Sequence, residues 1–246
     1  DGRNAHLVEQ VIAKTHVVFL SAWATDPTLY QAFVPWFFSI VPNDDQQAEI
    51  LAKEIVQTDK KYKIATFSDQ SYDSDLALQS FLKKMSKKEY SEIIWLKYNS
   101  TDTSFKEIIH NINKHNIDCV VLFGESFSLL PLMQQLEKNK NIEHVYGSLS
   151  LLANDGQKEL DFKQFQNVSI ISYPNRSNNK NSSFIKSYKE KYGKRPGAVA
   201  VYAYDGMNLI LEVIQNSNFD RDKIQKTMAK IKFNGVTGLI QFDEHG

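Results

Sequence analysis

The sequence predicts an α/β fold of two doubly wound parallel-sheet lobes joined at a hinge, with the first lobe incomplete. Three observations predict it. Short apolar runs alternate with amphipathic stretches, the pattern of strand–helix–strand units. Several of those runs are apolar without alternation, as strands covered on both faces read. The middle of the chain holds a self-contained series of such units, whereas the two ends together offer few convincing strands.

HVVFLS (16–21) is the first strand expected and WFFSIV (36–41) the second. Both are too apolar to face solvent, yet the end segments supply few neighbours for them, so further strands of this lobe are expected before Asp1. DDQQAEILAKEIVQ then reads as a helix with Ala48, Ile50, Leu51 and Ile55 on one side and Asn43 or Asp44 as its cap. KIATFS (63–68), EIIWLKY (92–98), CVVLFG (119–124), HVYGSL (144–149) and NVSIIS (167–172) continue as strands. SDLALQSFLKKM, FKEIIHNINKHN and SLLPLMQQLEKN alternate with them as helices, Pro131 falling in the first turn of the last. YPNRSNNKNSS is polar and turn-rich, a surface connection. A long helix follows from about residue 197 to 215, then a glycine-containing tail. Residues 1–42 and 174–246 thus form a partial lobe 1, and 43–173 an inserted lobe 2. The paired crossings near Pro42 and Pro174 suit a hinge.

Composition narrows the function. Lys plus Arg equals Asp plus Glu, 29 each, which argues against nucleic acid as the partner. No apolar run reaches the length of a membrane span. Cys119, the single cysteine, reads as a small buried hydrophobe in a strand. No nucleophile elbow, zinc-protease motif, P-loop or dinucleotide fingerprint occurs, so no enzyme, cofactor or metal is expected. His110 and His115 are spaced to different helix faces and read as solvated. The carboxylates of YDSDL suit a helix start better than acid–base chemistry.

Ligands of open α/β sheets bind beyond the carboxyl ends of strands. SAWATDP follows the first strand, SDQSYDSD follows KIATF, GESFS follows CVVLF and GSLSLL follows HVY. A cleft between lobes would be lined by Trp23, Ala24 and Thr25 on one side and by Tyr72, Glu125 and Ser148 on the other. The small residues let backbone N–H groups face a ligand. Each assignment has a plainer rival. Trp23 can pack under its loop, Thr25 can cap a helix at Pro27, Tyr72 can belong to the core, and Glu125 can be an exposed charge. Asp205, inside the apolar AVAVYAYDGMNLI, reads as structural and bonded to a nearby loop. Gly235 and Gly238 read as turn glycines.

Three blocks then carry a resemblance. SAWATDPTLYQAFVPWFFSIVPNDDQQAEILAKEI, GKRPGAVAVYAYDGMNLILEVI and FNGVTGLIQFDEHG stand in the order found in the branched-chain amino-acid binding proteins of ABC importers. The chain resembles that type I periplasmic binding family over most of its length. The resemblance implies an extracytoplasmic solute-binding protein, lipid-anchored through a preceding segment, that delivers a small polar ligand to importer membrane subunits. A monomer and an amino-acid-like ligand are its defaults. It implies that Thr25 holds a ligand carboxylate and amino group, and that Tyr72 closes over the ligand. Trp23 and Glu125 depart from the family pattern, and Leu149 stands where amino-acid binders carry an acid, leaving Glu125 to meet an ammonium group. Arg3 stands near the place of a carboxylate-gripping serine. A sensing module of a receptor or regulator is the alternative function.

Overall fold

The computed structural model describes residues 1–31, 33–57, 60–88, 93–99, 104–153, 165–174, 176, 182–243 and 246. These form two compact units, Asp1–Asn43 with Ser172–Gly246, and Asp44–Ile171. Most of YPNRSNNKNSS, together with Glu92, Glu244 and His245, lies outside the described residues.

The first unit opens on a helix that the sequence reading did not anticipate, α1 (Gly2–Thr15). Asp1 caps it by accepting the Asn4 N–H at 2.9 Å. Ala5, Glu9 and Ile12, one helical face, are its buried residues after Gly2. His16 closes it in the left-handed region, φ 52°, its N–H bonded to the Ile12 carbonyl. The helix end therefore consumes the start of HVVFLS, and strand β1 spans only Phe19–Ser21. It pairs in parallel with β2 (Phe37–Ser39), Phe19 opposite Phe37. Ala5, Ile12, Ala24, Leu29 and Phe37 form one buried cluster between these elements.

The second unit begins with α2 (Asp44–Val56). Its buried stripe is Gln47, Ala48, Leu51, Ala52 and Ile55, while Ile50 is 54% exposed. Ile50 sits off the stripe that a 3.6-residue period defines, so its expected burial is corrected. Asp44 lies inside the helix rather than ahead of it. Then follow β3 (Ile64–Ser68), α3 (Tyr72–Ser86), β4 (Ile93–Lys97), α4 (Lys106–Lys114), β5 (Cys119–Phe123), α5 (Ser126–Lys138), β6 (His144–Gly147) and β7 (Val168–Ile170). Because α5 starts at Ser126, Pro131 is in its interior and not in the first turn.

The five strands make one parallel sheet in the order β4-β3-β5-β6-β7. Every residue of β3 and β5 is buried, which is why β5 reads as an unbroken apolar run and β3 as one interrupted only by Thr66 and Ser68. Alternate residues serve the two faces. Ala65, Phe67, Val120 and Leu122 join the core under α4 and α5, with Ile112, Leu132 and Leu136. Phe123 meets Phe81 of α3 at a ring separation of 5.7 Å. Burial pushes the Cys119 thiol well above the ordinary thiol range, and Asp118 adds to it. The native thiol keeps its proton where an unfolded chain has lost it. That contribution to stability is full below about pH 8.5 and falls as pH rises further. Cys119→Ala is expected to flatten the decline between about pH 8.5 and about pH 10, read by urea denaturation.

The chain ends in the first unit with α6 (Ser183–Tyr192), α7 (Ala198–Asn216), α8 (Arg221–Met228) and the antiparallel strands β8 (Lys232–Asn234) and β9 (Leu239–Gln241). Asp205 of α7 is 1% exposed. Its Oδ1 accepts the Val236 N–H at 2.8 Å, and its Oδ2 accepts the Thr237 N–H and hydroxyl, each at 2.7 Å. The long helix is thereby fastened to the turn between β8 and β9, the structural role expected for Asp205. Gly238, φ +129°, is the glycine that this turn requires for its backbone. Gly235 is needed for room instead, since an added Cβ would stand 2.6 Å from the Asp205 Cγ. No helix among the described residues is long and apolar enough to cross a membrane.

Candidate functional site

In the second unit the sheet changes direction beside β3. The chain steps to β4 on one side, then places β5, β6 and β7 on the other. The crevice at such a switch point, beyond the carboxyl ends of β3 and β5, is where open α/β sheets place ligands. Tyr72 follows β3 and Glu125 follows β5, so these two residues flank it.

The β3 loop is held by its own side chains. Asp69 Oδ1 accepts the Ser71 N–H at 3.1 Å and its hydroxyl at 2.7 Å. Ser71 caps α3 by accepting the Ser74 N–H at 3.3 Å, which makes Tyr72 the first helical residue, half-buried. Gln70 carries φ +61° and donates from Nε2 to the Tyr98 carbonyl at 3.3 Å and to Asn99 Oδ1 at 3.2 Å. Ser68 donates to Asp75 at 2.5 Å. The carboxylates of YDSDL accordingly belong to the start of α3 and its fastening.

Glu125 occupies the N-cap of α5 and is exposed, without a side-chain cap bond. Gly124 before it has φ +149°. The side chains of Ser126, Phe127 and Ser128, the rest of GESFS, lie outside the described residues. Ser148 is 4% exposed. Its hydroxyl lies 2.6 Å from Ser150 Oγ, which donates to the Gly124 carbonyl at 2.9 Å. Ser148 therefore ties the β6 loop to the β5 loop. Leu149 is buried, and its N–H donates to Gln47 Oε1 at 3.0 Å.

In the first unit, SAWATDP turns at the end of β1. Ser21 Oγ accepts the Ala24 N–H at 3.0 Å, folding the loop over the strand end and burying Ala24. Trp23 is half-buried with its ring 6.1 Å from Tyr202, which in turn meets Tyr173 edge-on at 6.1 Å. Burial pushes the hydroxyls of Tyr202 and Tyr173 above the usual phenol range, so this aromatic wall stays neutral. Thr25 is half-buried. The rival reading of Thr25 as a helix cap is corrected. Asp26 caps the short 3₁₀ turn Pro27–Tyr30, accepting the Thr28 N–H at 2.8 Å. Arg3 is exposed on the first turn of α1. His110 and His115 are exposed, as expected. No group of three metal-ligating side chains is found among the described residues.

Sequence reasoning missed His6, which reaches Asp26 from α1 at 2.9 Å, and Gln70 with its positive φ. The His6 pair spans twenty positions, and no local pattern announces it.

A family model described as "Periplasmic binding protein" matches residues 3–246. Among solved structures, a leucine-binding protein LivK from Thermotoga maritima is similar, with TM-score 0.77 and 20% identity over 98% of this chain and 70% of that one. A solute-binding protein of an ABC transporter from R. palustris, in complex with benzoate, gives TM-score 0.79 at 16% identity, over 98% and 68%. The branched-chain amino acid transporter substrate-binding protein LivJ from Streptococcus pneumoniae, in complex with isoleucine, gives 0.73 at 18%, over 100% and 78%.

Proposed function

The chain belongs to the periplasmic binding protein family, and on that premise we propose that it is an extracytoplasmic solute-binding protein that captures a small polar ligand, an amino acid or a related compound, for ABC-type import through partner membrane subunits. One observation carries the reading. The loops after β3 and β5 flank the switch point of a fully parallel sheet, and they bring Tyr72 and Glu125 to its carboxyl edge. The proposed contacts are Trp23, Ala24 and Thr25 in the first unit and Tyr72, Glu125 and Ser148 in the second. Thr25 supplies a hydroxyl and backbone N–H, and the rings of Trp23 and Tyr72 supply apolar walls. Glu125, exposed at its loop, is the group for a ligand ammonium. Leu149 is buried and its backbone N–H is already bonded to Gln47, so it supplies no charge for a ligand. Ser148 acts by holding two loops together.

Thermal-shift measurements on the chain against L-leucine, L-isoleucine, benzoate, small amides and sugars test the proposal. A bound ligand raises the melting temperature by mass action. Thr25→Ala and Tyr72→Ala are each expected to weaken it by about tenfold, the size of one lost hydrogen bond or ring contact. A ligand whose shift is untouched by both substitutions would place binding elsewhere.

A further inference from the structure

Charge is unevenly spread along this neutral chain. Residues 183–204 hold five cations, Lys186, Lys189, Lys191, Lys194 and Arg195, against one acid, Glu190. None of the five forms an ion pair among the described residues. The same stretch carries a row of rings. Phe184, Tyr188 and Tyr192 recur at every fourth residue of α6, which places them along one helical stripe. Phe184 meets Tyr188 edge-on at 5.8 Å, and the Tyr188 ring lies 4.6 Å from that of Tyr192. At the other end Phe184 stacks on Tyr204 of α7 at 4.0 Å. Ile185 is buried and anchors the helix, whereas Tyr192 is 54% and Tyr204 39% exposed. Core packing explains Ile185 but not rings turned to solvent.

The cations are grouped about these rings. By the helical period Lys189 and Lys191 flank the stripe on its two sides, and Lys186 and Glu190 fall on the opposite face. The Lys191 ammonium lies 5.5 Å from the centre of the Tyr192 ring. Gly193, φ 70°, ends α6, and Lys194 and Arg195 follow directly after it. The helix dipole favours cations in the last turn, but it gives no reason for exposed rings among them.

We propose that the outer surface of α6, with Tyr204, is a docking surface for an anionic phospholipid membrane. Charge complementarity carries the choice, since each Lys or Arg near an anionic leaflet strengthens attachment by roughly fivefold. Tyrosine suits the headgroup layer, its ring on the apolar side and its hydroxyl in water. Lysine stems lie along such rings while the ammonium groups reach the phosphates. A stripe this narrow holds the protein at headgroup depth, so attachment is peripheral and reversible. Single-stranded nucleic acid also uses rings and cations, but it stacks bases on free ring faces. Here the rings already pack on one another. The surface lies within the first unit and needs no solute, so it and the ligand reading fail separately. On the proposed function, it would hold the protein beside its membrane partners.

Sedimentation of the ligand-free chain with lipid vesicles tests the proposal. Phosphatidylcholine vesicles with about 30% phosphatidylglycerol are expected to bind the chain at least about tenfold more tightly than pure phosphatidylcholine, and about 0.5 M salt should abolish the difference. Lys191→Glu combined with Arg195→Glu should weaken binding by about twentyfold. Tyr192→Ala should weaken it by about fivefold with every charge kept. The same charge reversal at Lys138 and Lys140, exposed on the second unit, should leave binding nearly unchanged. Equal binding to neutral and anionic vesicles, or an equal loss in the two charge-reversed pairs, would overturn the proposal. So would a chain that ignores vesicles but binds a single-stranded oligonucleotide through Lys191 and Arg195.

Discussion

Asp205→Ala is expected to destabilise the chain by about 3 kcal/mol, one of the two largest single effects that the structure implies. The carboxylate accepts two backbone N–H groups and one hydroxyl, all within 2.8 Å, at a position 1% exposed. Alanine removes every acceptor at once. The Thr237 N–H is then left buried with no partner, and that desolvation is a larger cost than the net worth of the bonds. Asp205→Asn keeps one acceptor oxygen but turns a donor toward donors, so an intermediate loss is expected. Gly235 gives an independent check. A Cβ there collides with the carboxylate from the other side, so Gly235→Ala alone should be destabilising by overpacking, by about 1–3 kcal/mol. In the double variant Asp205→Ala with Gly235→Ala, the collision has been removed. The two losses should therefore fall short of additive, and chemical denaturation of the four proteins measures the coupling. Strict additivity would mean that the close approach of Gly235 and Asp205 carries no energy.

This pair also shows what the sequence held and what it withheld. The blocks AVAVYAYDGMNLI and FNGVTGLI were visible as separate motifs, and the role of Asp205 could be inferred because a carboxylate on a buried helix needs donors. That Gly235 is small for the sake of Asp205, thirty positions earlier, is a contact between distant residues and leaves no local trace. The same division runs through the fold. The strands β3 and β5 were legible because burial on both faces makes β5 continuously apolar and leaves β3 with only the small polar residues Thr66 and Ser68. Helix α1 was not, because Leu7 and Val11 are exposed while Glu9 is buried with Ala5 and Ile12, which blurs its apolar stripe, and a polar first turn hides its start. Ile50 was misread because hydrophobicity was taken for burial at a position the helical period turns outward. At the candidate loops, Thr25 and Asp26 are adjacent and both are cap residues by type. Only the bond to Thr28 decides between them. Ser148 carries an available-looking hydroxyl until Ser150 and the Gly124 carbonyl claim it from a neighbouring strand.

Gly124→Ala is the second large effect, and it acts on the crevice itself. Gly124 has φ +149°, where a side chain is strained whatever the space. The space is also occupied. An added Cβ would lie 3.4 Å from Tyr98 Cζ and well inside contact with the Tyr98 hydroxyl, and it would meet Asp69 Oδ2 at 3.4 Å. Tyr98 is 1% exposed and in the core with Phe105, so its ring has nowhere to move. Backbone strain and overpacking together imply a loss of about 3 kcal/mol, read as a lower denaturation midpoint. Tyr98→Phe removes the hydroxyl and nothing else from the collision. Gly124→Ala made in that background should recover the overpacking share and leave the backbone share, roughly 1–3 kcal/mol, behind. The consequence reaches function because Gly124 links the loops. Its carbonyl accepts from Ser150, and the residue after it is Glu125. A shifted Gly124 displaces the carboxylate proposed for the ligand ammonium and loosens the Ser148–Ser150 tie together. Any ligand found by thermal shift should therefore lose affinity in Gly124→Ala by more than in Glu125→Gln, since the first moves two loops and the second alters one charge. If Gly124→Ala binds that ligand as the parent does, the β5 loop is not part of the site.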